Sequence, residues 1–546
     1  MRIRGADGEI AGAGILLSPD RVLTCAHVVN RAAAQVTAEF VGAAGHTVPA
    51  VPAWVDAYVQ ETVDADGDPS GDVALLRLKR PRPAGEAVRL HRLSAPGREV
   101  RMYGFPYDHN GGIWFRATIV GGRGRDGQVQ LIPTSPGELA SPGCSGAGVA
   151  DSRTGEVIGM VLSALRDRHG NQFSFMSPAE TIIRHLPQVH RWTAGRTAVD
   201  DRLKSTEGDA SAELLDEPFA QRLAAWLRDD GQQVKISVVR HGDGARAATL
   251  RRAITLADRE LRTAVSVDRA SLDPPDTVPS AGGHDLAVDA AGLTAVEIAE
   301  RIAERMGLWQ QPADSALDRI RAADVTLTLI VVGVDEAADP PALLDLLDVL
   351  RAGGSRLLLV FRTAGACHHQ ARRQLVTEPL RTRRAQLVER LREVTGPLAR
   401  ALYERRAVVV PHGIRPPDRD IVAAHAALAD LVRTQGDPVP GPDLARYERL
   451  AERVAARLAR AIGRLDGLHE RREELRGRLR GYHVLHQHSI QGEEDPAVDA
   501  LYLRAHELLQ AAPCDVRAAE AAVEAYTHRV DRHDGQRQNQ GGGSSS

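Results

Sequence analysis

Three residues far apart in the chain have the types and settings of an acyl-transfer site. Ser145 lies in Ser141-Pro142-Gly143-Cys144-Ser145-Gly146-Ala147-Gly148, a run of small residues followed by apolar Val149-Ala150. Glycine permits a sharp bend, which suits an exposed nucleophile whose neighbouring N–H groups face a reacting carbonyl. The same composition also makes ordinary turns, so the serine needs partners. His27 ends the apolar run Val22-Leu23-Thr24-Cys25-Ala26, where a general base could be anchored. Asp72 immediately precedes Val73-Ala74-Leu75-Leu76-Arg77-Leu78, at the mouth of a strand and not on its solvent face, the setting of a buried acid that orients an imidazole.

Such residues must be carried by β-structure. Two apolar runs, Gly12-Ala13-Gly14-Ile15-Leu16-Leu17 and Val22-Leu23, flank a Ser18-Pro19-Asp20 turn, a hairpin pattern that delivers His27 at its end.

In the order His, Asp, Ser, and in the segments Leu23-Thr24-Cys25-Ala26-His27, Asp72-Val73-Ala74-Leu75-Leu76 and Gly143-Cys144-Ser145-Gly146, the chain resembles the trypsin/chymotrypsin-like serine peptidases, including their HtrA-type branch, over about residues 1–190. The resemblance implies two antiparallel β-barrels with the site in the cleft between them. It implies that Ser145 attacks the scissile carbonyl, that His27 takes its proton and returns it to the leaving amine, and that Asp72 holds the imidazole tautomer. The N–H groups of Gly143 and Ser145 would form the oxyanion hole.

Two departures stand out. Cys144 occupies the place where secreted digestive members carry an aspartate that pairs with a new amino terminus after zymogen cleavage, so that switch is expected to be missing. Met1-Arg2-Ile3-Arg4 leads straight into strand-like sequence, which predicts neither propeptide nor signal segment. Gly146-Ala147-Gly148 replaces the family's usual Gly-Gly-Pro. The predicted specificity pocket comprises Glu138, Leu139 and Ser163. Members that cut after basic residues carry an acid six positions before the nucleophile, here Leu139, which does not favour Arg or Lys; a one-residue shift would put Glu138 there. Ser163 lies in Gly159-Met160-Val161-Leu162-Ser163-Ala164-Leu165, which the resemblance places beside substrate backbone.

At 546 residues the chain is too long for one core, and roughly three domains are expected. A net charge of −3 gives no global field for nucleic acid. Lys79, Lys204 and Lys235 are the only lysines, so nearly all basic residues are arginines; with the abundant alanine this reads as the codon bias of a GC-rich bacterial genome. No apolar run reaches the roughly 18–20 residues of a membrane span. Four cysteines without framework spacing, Cys25, Cys144, Cys367 and Cys514, predict free thiols and a cytoplasmic location.

Residues 195–212 turn polar and read as a linker between a peptidase domain at 1–194 and a second domain at 213–440. There, a helix predicted from Glu213 to Arg228 precedes the buried strand Val234-Lys235-Ile236-Ser237-Val238-Val239, followed by Arg240-His241-Gly242-Asp243-Gly244-Ala245-Arg246 where a phosphate-cradling loop would sit. With Leu327-Thr328-Leu329-Ile330-Val331-Val332-Gly333-Val334-Asp335-Glu336 as the acid-bearing strand and Leu357-Leu358-Leu359-Val360-Phe361 as the next, this region resembles the STAND-type signalling NTPases and their P-loop fold. Alternation of strands and helices predicts a parallel sheet. The catalytic parts are eroded: an alanine, Ala247 or Ala248, stands where Mg²⁺ needs a hydroxyl, Arg246 where the phosphate-contacting lysine belongs, and Gly333 where the first acid is expected. Arg246 is the one candidate nucleotide contact, and no cofactor is required.

Beyond Arg362 the pattern is helical, with a short apolar strand at Ala407-Val408-Val409-Val410-Pro411 and a proline-rich hinge at 436–442. A helical or coiled-coil interaction module is expected at 441–535, and a flexible tail at 536–546. His483, His486 and His488 cluster without an acid or cysteine at ligand spacing, so no metal site is assigned.

The expected fold is therefore multidomain: an all-β double barrel, an α/β P-loop-like parallel sheet, and an α-helical C-terminal region. The expected function is an intracellular bacterial serine endopeptidase gated by its fused domains in stress or defence signalling. Its partners would be a protein or peptide substrate, a protein sensed by the C-terminal region, and further copies of the chain, with neither nucleic acid nor membrane. Two other readings stay open: a non-catalytic pseudopeptidase scaffold that grips peptides by strand addition, and a nucleotide-sensing switch.

Overall fold

The computed structural model describes the chain except residues 30–34, 43–47, 65–66, 93–96, 107–108, 124–125, 136–141, 167–171, 207–208, 210–214, 264–265, 268–269, 271–272, 310–314, 416, 435–440, 490–494 and 542–546. It divides into two compact units, Met1–Val376 and Thr377–Ser546.

The first unit begins with the strands β1 Arg2–Arg4, β2 Ile10–Ala13, β3 Ile15–Ser18, β4 Arg21–Thr24, β5 Val36–Glu39, β6 Ala50–Val59, β7 Thr62–Val63, β8 Pro69–Ser70 and β9 Val73–Leu78. Seven of them form an antiparallel sheet in the order β2-β1-β5-β6-β9-β4-β3, while β7 and β8 pair with each other. β4 and β9 are buried on both faces: consecutive Val22 and Leu23, and Val73, Leu75 and Leu76, are all fully buried. A second sheet comprises β10 Leu90–His91, β11 Glu99–Gly104, β12 Ile113–Arg123, β13 Gln128–Pro133, β14 Gly148–Asp151, β15 Val157–Arg166, β16 Gln172–Pro178 and β17 Thr193–Ala194. Its order is β14-β11-β12-β13-β16-β15-β10-β17, and an additional β14–β15 pairing joins the two ends of its six-stranded part into a closed barrel. Helix α1, Ala179–His185, follows β16.

The same unit continues into a parallel sheet of β18 Val234–Val238, β19 Leu286–Asp289, β20 Thr328–Val332 and β21 Arg356–Phe361, in the order β18-β21-β20-β19. Alternate side chains fill two cores. Val288, Leu329, Val331 and Leu359 pack with α4 Ala295–Arg305 and α6 Pro340–Ala352, helices separated by α5 Ala316–Ala322. Ile330, Val332, Leu358 and Val360 pack on the other face with α2 Glu217–Leu227 and α3 Gly244–Ala257. Sheet strands buried on both faces account for the unbroken apolar runs in this part of the sequence. Helix α7, Ala366–Ala371, ends the unit.

The stretch read as a linker is ordered wherever it is described. Val199 bridges in parallel to Ala287 on the outer side of β19, Val199 and Leu203 are buried, and the Asp200 carboxylate accepts the Asp289 N–H at 2.8 Å. Polar composition misled because the few apolar residues here are the ones that face the core.

The second unit is helical: α8 Glu378–Glu393, α9 Ala399–Val408, α10 Asp418–Arg433, α11 Gly441–Ser489, α12 Pro496–Gln510 and α13 Val516–Gly541. It starts at Thr377, well before the boundary expected at 441. Ala407 and Val408, read as strand, end α9, and only Val409 makes a β-bridge, to Cys514. The stretch from 536, read as tail, remains helical to Gly541. The hinge expected at 436–442 lies outside the described residues up to 440. In α11, Val454, Leu458 and Leu465 are fully buried in the core of this unit.

Candidate active site

Antiparallel pairing of β4 with β9 sets Thr24 opposite Ala74, which brings the residues after one strand beside those before the other. Ala26–Val28 form a single turn with the His27 side chain 46% exposed, and Asp72 lies under it, 3% exposed. Asp72 adopts φ +60°, a left-handed conformation that aspartate tolerates better than most residues. Its carboxylate holds the histidine twice: one oxygen accepts the His27 backbone N–H at 3.0 Å, the other meets Nδ1 at 2.8 Å. With Nδ1–H committed to the carboxylate, the Nε2 lone pair is left to act as a base. The hydrogen bond to Asp72 raises the His27 pKa above its ordinary value against the opposing effect of burial, and the Asp72 and Glu61 charges add to the rise. Burial and the Asp72 charge push the Glu61 carboxyl up in turn.

Ser145 sits in the turn between β13 and β14. Gly143 and Gly146, at φ +97° and +86°, make that turn possible. A Cβ at Gly143 would collide with the Phe105 carbonyl oxygen, and one at Gly146 with the Ala13 carbonyl oxygen. The turn is sewn to both sheets: Gly146 N–H donates to Val161 O at 2.8 Å, Phe105 N–H to Gly143 O at 3.2 Å, and Ala13 N–H to Ser145 O at 2.7 Å. Ala13 is the shared stitch, since its carbonyl also accepts the Thr24 hydroxyl at 2.7 Å, three residues before His27. A Cβ at Gly12 would lie 2.7 Å from Ser145 O and 2.6 Å from Val28 Cγ2, so the serine backbone and the residue after the histidine crowd the same glycine. Among the described residues the Gly143 and Ser145 N–H groups have no acceptor, and Ser145 Oγ makes no hydrogen bond to His27.

Cys144 is fully buried against Gly104. Cys25 donates its thiol to Val161 O at 3.2 Å, and burial, with the charge of Asp72, pushes its pKa well above the usual thiol value, so it is a neutral packing group and no nucleophile. Cys25, His27 and Asp72 offer donor atoms within 4.8 Å of one another. The thiol and Nδ1 already hydrogen-bond to Val161 O and Asp72 in this set, which makes it a hydrogen-bonded cluster and not an open cage for a metal.

Of the predicted pocket residues, Glu138 and Leu139 lie outside the described residues, and Ser163 is carried on β15, where the ladder to β16 breaks register between Val161 and Ala164. Arg246 lies elsewhere, on the first turn of α3. Its Nε donates to Asp216 at 2.8 Å, and its N–H donates to Asp243, which caps the helix. It does not line the cavity of about 230 Å³ at the carboxyl ends of the parallel strands, whose walls include Arg202, His241, Asp289, Glu336 and Arg362. There His241 and Arg362 both pair with Glu336. His483 stacks on Tyr502 with ring centres 3.9 Å apart. Neither the Ala13 stitch nor the Cys25 contact is legible from residue types alone, because both depend on the pairing of distant strands.

Residues 12–160 match the family model of the trypsin-like peptidase domain. That stretch contains His27, Asp72, Gly143 and Ser145. No curated protein matches the chain. Among solved structures it is similar to the inactive form of the Rv3671c protease of M. tuberculosis, at 25% identity over 34% of this chain and 87% of that one, TM-score 0.26. It is also similar to the MamO protease domain of Magnetospirillum magneticum, at 16% identity over 34% and 93%, TM-score 0.25. A third is the HtrA-type protease AlgW with a decapeptide, at 20% identity over 35% and 56%, TM-score 0.25. No helix among the described residues is long and apolar enough to cross a membrane.

Proposed function

We propose that residues 1–194 are a serine endopeptidase. The observation that carries this reading is the two-point grip of Asp72 on His27, which fixes the base in the tautomer that nucleophile activation requires. Ser145 Oγ attacks the scissile peptide carbonyl as His27 Nε2 takes its proton. The tetrahedral oxyanion is received by the Gly143 and Ser145 N–H groups, each worth about 3–4 kcal/mol. Collapse expels the amine, protonated by His27, and water repeats the cycle on the acyl-enzyme. His27 and Ser145 are drawn into contact when substrate fills the cleft, since catalytic hydrogen bonds are often long before substrate binds. Substrate is an extended peptide whose backbone pairs along β15, the strand that carries Ser163. The α/β part and the helical unit gate this activity in response to a partner, in a cytoplasmic signalling or defence role.

The test uses the full chain and a fluorophosphonate probe. The unsubstituted protein is expected to be labelled at Ser145, with Ser145→Ala blank and His27→Ala slowed by at least about a thousandfold. Absence of label on the unsubstituted chain, both alone and during incubation with a panel of unfolded proteins, overturns the reading.

A further inference from the structure

In the Gly71-Asp72 turn that presents the carboxylate, Gly71 lies at φ +88°, which glycine adopts freely, and Asp72 at +60°, where a side chain makes the backbone strained. Backbone in such regions persists only where its surroundings over-determine it. What holds it comes from the second sheet, in the turn between β12 and β13. The Asp126 carboxylate accepts the Ser70 hydroxyl at 2.8 Å and the Gly71 N–H at 3.4 Å, and Gln128 Nε2 donates to Pro69 O at 3.2 Å. Asp126 is 7% exposed and is itself clasped from α1, by the Arg184 guanidinium and by His185 Nε2 at 3.0 Å. Burial pushes the Asp126 carboxyl up, but His185 and Arg184 outweigh it and keep the carboxyl below its ordinary range, so it stays a strong acceptor.

The other side of the same turn meets the α/β part. Arg259 Nε donates to Gly127 O at 3.2 Å, and a Cβ on Gly127 would touch Arg259 and Ala281 at 3.1 and 3.2 Å. Helix α1 is pinned from there too: Glu180 pairs with Arg305 at 2.7 Å, both side chains buried. Asp126-Gly127 is thus a wedge with the turn of the proposed catalytic acid on one side and the α/β part on the other.

We propose that Asp126 is a positioning residue, which through Ser70 and Gly71 holds Asp72 in its strained conformation under His27, and that Arg259 sets this clamp from the α/β part. The inference rests on the peptidase reading for its effect on turnover, but not for its effect on the His27–Asp72 bond. Three full-length variants test it. Ser70→Ala removes one bond of the clamp without leaving a buried charge, Ser70→Thr restores the hydroxyl, and Arg259→Ala removes the α/β part's bond to Gly127 O, leaving that of Thr181. Two readouts are followed, turnover of a peptide substrate and the low-field proton resonance of His27 Nδ1–H.

Ser70→Ala is expected to lower kcat about ten- to a hundredfold with KM unchanged, as small misplacements near a reacting centre do. It should also move or broaden the resonance, Ser70→Thr should restore both, and Arg259→Ala should act in the same direction. If the unsubstituted chain turns over substrate while Ser70→Ala leaves kcat and the resonance unchanged, the clamp is overturned and the peptidase stands. If Ser145 is inert but the resonance responds to Ser70→Ala and is rescued by Ser70→Thr, the clamp stands and the peptidase reading falls. A change in melting temperature alone, with both readouts unmoved, also overturns it.

Discussion

Two glycine-bearing turns looked alike in the sequence, Gly143-Cys144-Ser145-Gly146 and Gly242-Asp243-Gly244, and the fold treats them oppositely. In the first, both glycines have positive φ and their missing side chains admit the carbonyl oxygens of Phe105 and Ala13. In the second, neither glycine has a positive φ, and a Cβ on either would meet nothing within 4 Å. The first turn leaves two N–H groups without an acceptor among the described residues; in the second, the Asp243 carboxylate occupies the helix start where an anion would bind. Glycine content announces a bend. Only the close approach of other backbone shows that the bend has a job.

The largest effect expected from this contrast is in substitution by alanine. Gly143→Ala or Gly146→Ala should destabilise the chain by about 3 kcal/mol or more, from left-handed strain plus collision, and abolish probe labelling of Ser145, whereas Gly242→Ala should stay within about 0.5 kcal/mol. Equal melting temperatures for the two substitutions would mean that both turns are held equally loosely.

Next in size is the pH dependence. If His27 is the base, as proposed, it must be neutral to act; Asp72 raises its pKa, so labelling should fall as pH drops through a midpoint above the ordinary imidazole value of about 6.5. Asp72→Asn should lower that midpoint along with the rate. Stability has the opposite sign: the folded state holds the His27 proton more tightly, so the pair's contribution is complete below the ordinary pKa and is lost as pH rises through the raised one. A labelling profile whose midpoint ignores Asp72→Asn would show that the carboxylate does not control the base.

The smallest effect belongs to the second turn. Arg246 is 41% exposed and paired with Asp216, so Arg246→Ala should cost less than about 1 kcal/mol of stability in a melting experiment. A melting temperature that ATP raises only when Arg246 is present would show the second turn to be an anion site after all, since the guanidinium would have to leave Asp216 for phosphate.

The residues with intrinsic chemistry were legible because each stands at a strand end, where periodicity stops and a polar residue becomes conspicuous: His27 after β4, Asp72 before β9. The parallel sheet was legible from its apolar runs. What could not be read are interactions that join segments far apart. The arginine excess looked like base composition alone, yet Arg92, Arg98 and Arg305 are buried ties between the β-rich and α/β parts, to Glu260, to Asp151 and the Met306 carbonyl, and to Glu180. Arginine serves there because its planar fork meets a carboxylate and a carbonyl together, and nothing local in the sequence separates such an arginine from a solvated one. Residues 195–206 were misjudged for a related reason: Val199 needs Ala287 beside it to become an edge of the sheet.

The sealed thiol of Cys144 gives the Ser145 turn a chemical clock of its own. An alkylating reagent added to folded protein reaches part-buried Cys367 more readily than Cys144, which is exposed only when its packing, Gly104 included, opens. The lag between the two adducts measures how often the turn lets go, and a ligand that tightens it would lengthen that lag without any substrate being cut.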